Sequence, residues 1–261
     1  DLDAIIRHAN QRGIINDIVT NGLLIPRQLE ALKKCNVVGI SLEGEEEAHD
    51  RDRGKGTYAQ IMKNIELLRA QGIRLRFHVT VTKNTIHSFH VAEAAKKYNA
   101  GVVVSVVLMS AGKENEAVPD VNALQEFWRD VRALKKAGYP IDKSFSSLDC
   151  LIKNANLLQN GQMSPEVPRV PGITPCHYGR YACYLGADGT IFPCCHSDIY
   201  GKVDMDSNVV KLGAQKAWDN VVKNTHCRFC SMMVGCEINN FLNLNGPALR
   251  EVIRAQVFRP R

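Results

Sequence analysis

Seven of the nine cysteines in this 261-residue chain lie between positions 176 and 236. They are Cys176, Cys183, Cys194, Cys195, Cys227, Cys230 and Cys236. Thiolates are soft ligands, and four of them around one centre suit either an iron–sulfur cluster or zinc. The spacing offers a way to gather them. Tyr181 to Cys194 predicts a hairpin, with Tyr181-Ala182-Cys183-Tyr184-Leu185 and Thr190-Ile191-Phe192 flanking Asp188-Gly189. Asp-Gly favours a two-residue type I′ turn, whose central residues both need positive φ. Such a turn pairs Ala187 with Thr190 and Cys183 with Cys194, and opposed residues share a face with Cβ atoms about 5 Å apart. Cys176, just upstream, can fold back over that end. Further on, Cys227-x-x-Cys230 holds two sulfurs in one tight turn, and Cys236 follows. A hairpin pair facing a Cys-x-x-Cys turn makes a four-sulfur site. A structural zinc site and, in an exported chain, a disulfide scaffold are the other outcomes of the same spacing. No basic n-region or signal-like apolar stretch opens the chain, so metal is favoured over disulfides and a cytoplasmic location is expected. Cys195 faces away from the hairpin partner when Cys194 faces in. His196 is expected to be a loop histidine, and Cys35 and Cys150 buried small hydrophobes.

The remainder of the chain must position this module and whatever it serves. The formal charge is 33 − 27 = +6, spread without a dense basic run or interleaved aromatics, so nucleic acid is not an expected partner. Apolar runs such as Gly101 to Met109 are far shorter than the ~20 residues of a membrane span, so no membrane role is expected. With 45% hydrophobic and 23% charged residues the chain is not a disordered one. Helical faces (Leu2, Ile5, Ile6, Ala9; Pro26 to Lys34; Tyr58 to Ala70; Ile86 to Tyr98) alternate with strand-like runs at Ile14 to Thr20, Val37 to Leu42, Ile73 to Thr82 and Gly101 to Leu108. Near-continuous apolar strands between helices predict a parallel α/β sheet covered on both faces. Ligands of such a sheet sit at the carboxyl ends of the strands, here Asn21-Gly22, Ser41 to Gly44, Thr80 to Asn84 and Met109 to Gly112. Two more helices are expected at Val121 to Ala137 and Ser147 to Leu158. Pro165, Pro168, Pro171 and Pro175 then mark a linker, dividing the chain into residues 1–165 and 166–261. A helical segment at Gln215 to Val222, carrying Trp218, bridges the two halves of the cysteine region.

Gly39-Ile40-Ser41-Leu42-Glu43-Gly44, followed by His49-Asp50-Arg51-Asp52-Arg53-Gly54-Lys55-Gly56-Thr57-Tyr58, resembles the fourth-strand segment of radical S-adenosylmethionine enzymes. Those usually read Ser-Leu-Asp-Gly, then His-Asp-x-x-Arg-Gly and Gly-Thr-Phe/Tyr. Thr20-Asn21-Gly22 is similar to the end of their third strand, and Val79-Thr80-Val81-Thr82-Lys83-Asn84 to their fifth. Cys176, Gly189 and Cys194 resemble the opening pattern of a SPASM/Twitch auxiliary-cluster domain. The likeness covers nearly the whole chain and departs in three places. The Cys-x-x-x-Cys-x-x-Cys of the family is absent, so the chain reads as an N-terminally truncated piece. Glu43 stands where aspartate is usual. Asn240 stands where a two-cluster SPASM domain has a cysteine.

The resemblance implies a partial (β/α)6 TIM-like barrel, its first strands missing, followed by a small α+β SPASM/Twitch domain. It implies a 4Fe-4S auxiliary cluster on Cys176, Cys194, Cys227 and Cys230, with Cys183 and Cys236 lining it or serving a second, incomplete cluster. S-adenosylmethionine would be bound by Ser41 and Arg53 at its carboxylate, with Glu43, Thr82 and Asn84 shaping the pocket. The implied activity of the intact protein is reductive cleavage of S-adenosylmethionine, fed by an electron donor, and hydrogen abstraction from a peptide or protein side chain. Oxidation of a small-molecule alcohol and a non-catalytic iron–sulfur or zinc-binding module are the alternatives. This piece alone is expected to be inactive, since it lacks the ligands of the cluster that cleaves the cofactor.

Overall fold

The computed structural model of the chain describes residues 1–87, 89–107, 116–160, 174–194, 206–225 and 236–257. Two compact units emerge, one of residues 1–107 and 126–143, the other of 108–125 and 144–261. The linker expected around residue 165 lies outside the described residues.

The first unit alternates helix and strand: α1 (Leu2–Asn10), β1 (Asp17–Thr20), α2 (Ile25–Leu32), β2 (Val37–Ser41), α3 (Glu46–Arg53), α4 (Thr57–Ala70), β3 (Leu75–Val81), α5 (His90–Tyr98), β4 (Gly101–Val106) and most of α6 (Val121–Lys136). The strands pair in parallel in chain order, β1-β2-β3-β4. A further parallel bridge joins Val102 to Ile141. Chain order without a reversal is how successive β/α units build a barrel wall, whereas a doubly wound sheet switches direction. Among the described residues no helix is long and apolar enough to cross a membrane.

The two faces of this sheet differ. Parallel partners share a face, so the register aligns Val38 and Ile40 with Leu75 and Phe77. These are buried, and Phe77 meets the Tyr98 ring of α5 edge-on, centroids 6.2 Å apart. The expectation of apolar burial on both faces holds for β2 but not for β3, where Arg76, His78 and Thr80 alternate with buried neighbours. These polar residues line the other face with Val19, Gly39 and Ser41. Gly39 is required there: a Cβ on it would come within 2.7 Å of His78 Nε2. At the strand starts Arg76 bridges Asp142 (2.9 Å) and Asp17 (3.1 Å).

The second unit holds α7 (Phe145–Lys153), α8 (Ala155–Asn160), β5 (Tyr184–Leu185), β6 (Ile191–Phe192), α9 (Val209–Leu212), α10 (Ala214–Asn224), α11 (Glu237–Leu242) and α12 (Gly246–Val257). The single helix expected over Ser147 to Leu158 is broken at Asn154, whose side-chain amide donates back to the Cys150 carbonyl at 2.9 Å and ends α7. Trp218 packs on the cluster of Ile191, Ala217 and Val221.

The hairpin forms, with a different turn. Tyr184 pairs with Phe192 and Leu185 with Ile191, one residue out of the expected register. Gly186 N–H donates to Thr190 O at 2.8 Å, and Gly189 N–H to Gly186 O at 3.0 Å. Only Gly189 of the Asp-Gly pair has positive φ, +84°. This is a three-residue loop closed by one left-handed glycine, not a type I′ turn. The Asp188 carboxylate fixes it by accepting from the Thr190 amide (3.0 Å) and hydroxyl (2.8 Å). The ladder also stops before either cysteine, so it does not set Cys183 opposite Cys194.

Candidate active site

The polar ends of β2 and β3 and the segment from Glu43 to Tyr58 form one bonded unit. Glu43 follows β2 and is 2% exposed. A buried carboxylate is costly unless each oxygen is paired, and here both are. Oε2 accepts the Thr80 amide of β3 at 2.6 Å. Oε1 accepts from Arg53, the last residue of α3, through Nε at 2.9 Å and also through Nη2. The Arg53 side chain is 36% exposed, so the pair runs from the interior to the surface. The Glu43 amide donates to Nδ1 of His49 at 3.2 Å. That ring is wholly buried and lies edge-on to Tyr58, 6.0 Å away. Burial, then the Arg53 charge, hold the His49 pKa below the ordinary imidazole value, against the opposing pull of Asp50 and Asp52.

Asp50 ties α3 to α4. Its carboxylate accepts the amides of Gly56 (2.5 Å) and Tyr58 (2.9 Å) and the Thr57 hydroxyl (3.4 Å). It therefore supplies acceptors to orphan N–H groups at the start of α4, where Gly56 takes a left-handed conformation. Those amide bonds lower its pKa. Asp52 faces the end of β3, accepting from Thr82 Oγ1 at 3.2 Å and Asn84 Nδ2 at 3.4 Å.

All five residues expected to contact S-adenosylmethionine belong to this end of the sheet. Ser41 is the half-buried last residue of β2, level with His78. Glu43 and Arg53 are joined to each other, and Thr82 and Asn84 to Asp52. Glu43 has no oxygen lacking a partner, whereas Arg53 keeps Nη1 and one Nη2 hydrogen outside the Glu43 pair. A carboxylate is a fitting partner for that planar edge. His49, Asp50 and Asp52 were assigned no role from the sequence, although they flank Arg53 in the same motif. The i to i+4 step from His49 to Arg53 on a helix ending in Gly54 was the available signal.

In the second unit, Cys176 is buried, Cys194 and Cys236 are half-buried and Cys183 is exposed. None of the described cysteines forms a disulfide. Cys195, His196, Cys227 and Cys230 lie outside the described residues. Among the described residues no cluster of three or more His, Cys, Asp or Glu side chains forms a metal site. The segment around Cys176 is clamped to α11, which Cys236 caps. The His177 amide donates to Asn239 Oδ1 at 3.0 Å, Asn243 Nδ2 to the Pro175 carbonyl at 3.3 Å, and Thr174 Oγ1 to Asn240 Oδ1 at 3.3 Å. Cys176 and Cys236 are thus held on adjacent segments. Cys35 and Cys150 are half-buried rather than buried.

Residues 1–95 match the family model of the Radical SAM superfamily. The chain is 25% identical over 154 residues to the Fe-coproporphyrin III synthase of Methanosarcina barkeri, an alignment covering 54% of this chain and 39% of that protein. It is 37% identical over 79 residues to the antilisterial bacteriocin subtilosin biosynthesis protein AlbA of Bacillus subtilis, covering 28% of this chain and 18% of that protein. The chain thus spans less than two fifths of these curated relatives. Among solved structures it resembles native anSMEcpe with bound AdoMet and Cp18Cys peptide, with TM-score 0.61 and 16% identity over 98% of this chain and 80% of that one. That likeness shows a shared fold, an α/β architecture around a parallel sheet.

Proposed function

We propose that this chain is the S-adenosylmethionine-binding wall and auxiliary iron–sulfur module of a radical S-adenosylmethionine enzyme acting on a peptide or protein. The observation that carries the reading is the Glu43–Arg53 pair at the strand ends, with Ser41 the last residue of β2, inside the stretch that matches the superfamily model. S-adenosylmethionine at a 4Fe-4S cluster supplies hydrogen-abstracting radical chemistry. Arg53 binds the cofactor's carboxylate with the guanidinium edge that Glu43 leaves open. Ser41 donates a hydroxyl to the same group. Asp52, held by Thr82 and Asn84, is a carboxylate acceptor for hydroxyls at the pocket mouth.

Cys176, Cys194, Cys227 and Cys230 hold one auxiliary 4Fe-4S cluster, with Cys183 and Cys236 beside it. Their thiol donors suit the group, and the clamp of the Cys176 segment on α11 supports placing Cys236 near Cys176. An electron donor and a SPASM/Twitch identity for residues 166–261 belong to the same reading. Anaerobic reconstitution tests it. Iron and sulfide should be retained together, Cys227→Ala or Cys230→Ala should abolish retention, and Cys195→Ala should not. One equivalent of zinc without sulfide would refute it.

A peptide substrate is supported by the resemblance to a protein solved with a bound peptide and to a bacteriocin biosynthesis protein. The alignment with an Fe-coproporphyrin III synthase favours a second reading, a small-molecule substrate. Deuterium reaching 5′-deoxyadenosine from labelled peptides, and not from a labelled porphyrin or alcohol, in the full-length enzyme decides between them.

A further inference from the structure

His49 poses a problem of its own. Its Nδ1 accepts the Glu43 amide proton, so the neutral ring must carry its own proton on Nε2. That Nε2 is buried and has no hydrogen-bond partner. A buried orphan donor costs about 1–3 kcal/mol. An apolar side chain of similar size, packed against Tyr58, would avoid the penalty. The imidazole is therefore held for what Nδ1 does.

What Nδ1 does is pin the backbone at Glu43. From that fixed point the carboxylate reaches Thr80 N–H with one oxygen and Arg53 with the other. At 2% exposure, Glu43 acts in this proposal through Arg53. It is a buried counter-charge that fixes the partly exposed guanidinium through Nε and Nη2 and leaves Nη1 outside the pair.

We propose that His49 is a positioning residue, which through the Glu43 amide and carboxylate aims Arg53 at an anionic ligand above the strand ends. The inference rests on the S-adenosylmethionine reading for the identity of that ligand, the carboxylate of its methionyl end. A protonated ring could not accept the Glu43 amide, and burial keeps the ring neutral.

The test uses the 261-residue chain, with S-adenosylhomocysteine and adenosine as calorimetric probes and the Arg53 Nε–H proton as an NMR probe. His49→Leu removes the acceptor. His49→Asn places an amide oxygen near the position of Nδ1, and it keeps the test alive should the Leu variant fail to fold. The expected result is an S-adenosylhomocysteine affinity weakened about tenfold in His49→Leu and largely restored in His49→Asn. Adenosine, which has no carboxylate, should bind all three proteins equally. The Arg53 Nε–H signal should be slow to exchange in the parent and the Asn variant and fast in the Leu variant. Equal weakening of both probes would make His49 merely structural and overturn the proposal. So would unchanged Arg53 exchange in His49→Leu, or failure of His49→Asn to restore either readout. A parent chain that shows the Arg53 response yet binds no S-adenosylhomocysteine overturns the cofactor reading and leaves the His49–Arg53 link standing.

Discussion

In the first unit, order comes from strand register and apolar burial. Val38, Ile40, Leu42, Ile65, Leu68, Phe77 and Val81 are all at 0% exposure, and the polar groups of the site hang from the ends of the strands these residues anchor. In the second unit, a small apolar cluster of Ile191, Ala217 and Val221 is supplemented by side-chain amides. Asn239 and Asn240 are buried, and between them they tie α11 to the segment before the hairpin and to Ser147 of α7. The comparison teaches where a site's precision comes from. A parallel sheet fixes the ends of its strands through many non-directional contacts, so Glu43 and Thr80, 37 positions apart, meet reliably. In the described residues of the second unit the core beside the hairpin is confined to that small apolar cluster, so directional bonds and, on our reading, an iron–sulfur cluster add to what packing supplies there.

The largest expected effect follows from that difference. Ile40→Ala removes a fully buried side chain that packs beside Gly22, where an added Cβ would lie 3.3 Å from Ile40 Cγ2 and equally close to Ile61. The expected loss is about 2–5 kcal/mol, read by denaturant unfolding, with the second unit's own transition unshifted. A shift of both transitions together would break the comparison, because the units would then unfold as one.

Next in size is Asn240→Ala, which removes the buried amide that donates to Ser147 Oγ at 2.8 Å and accepts from Thr174 Oγ1 at 3.3 Å. A loss of about 1–3 kcal/mol confined to the second unit is expected. Equal stability in the variant would show that packing, not the amide, holds α11.

Gly189→Ala tests the hairpin. At φ +84° an alanine is strained, and its Cβ would lie 3.1 Å from Val210 Cγ2, so about 1 kcal/mol should be lost. Asp188→Gly should cost as much or more if the Asp188–Thr190 bonds fix the three-residue loop. A stabilised Asp188→Gly would instead favour the two-residue turn that the sequence suggests.

That turn shows where reading the sequence stops. The strands of the first unit were legible because apolar runs and helical faces have periods, and periods are local. Asp188-Gly189 correctly marked a reversal, but its length depends on whether one residue or two adopt positive φ. Here one does, the Asp188 carboxylate accepts from both the amide and the hydroxyl of Thr190, and every pairing moves by one. Ser41, Glu43, Arg53, Thr82 and Asn84 were singled out through a motif. The partners that give them meaning, Glu43 with Thr80 and Asp52 with Thr82, are contacts across long separations that no spacing rule displays. The polar face of β3 escaped for the same reason: the alternation of Arg76, His78 and Thr80 is visible in the sequence, yet which face meets helices is settled only by the neighbouring strands.

The smallest effect at neutral pH, and the one that separates the units by charge, concerns His49 and His78. Both rings belong to the first unit and both have pKa values lowered, by burial first and then by a neighbouring guanidinium: Arg53 for His49, Arg76 for His78. Asp50 and Asp52 act in the opposite sense on His49, and Asp17 and Asp142 on His78, without reversing the shift. In the unfolded chain the rings titrate near 6.5. Above that value neither state is much protonated, so stability is fully present and flat with pH. Below it the unfolded chain binds protons that the folded one refuses, and stability falls as pH drops toward the lowered folded pKa, by at most about 1.4 kcal/mol per pH unit for each ring. The first unit's melting temperature should therefore decline between pH 6.5 and 5. In the His49→Asn and His78→Asn double variant the decline should flatten, because the two groups that refuse protons are gone. A decline of equal slope in that variant would show that these two rings do not carry the acid sensitivity between pH 6.5 and 5; Asp50, whose own pKa is lowered by its hydrogen bonds to the Tyr58 and Gly56 amides, gives up its stabilising contribution only below about pH 4.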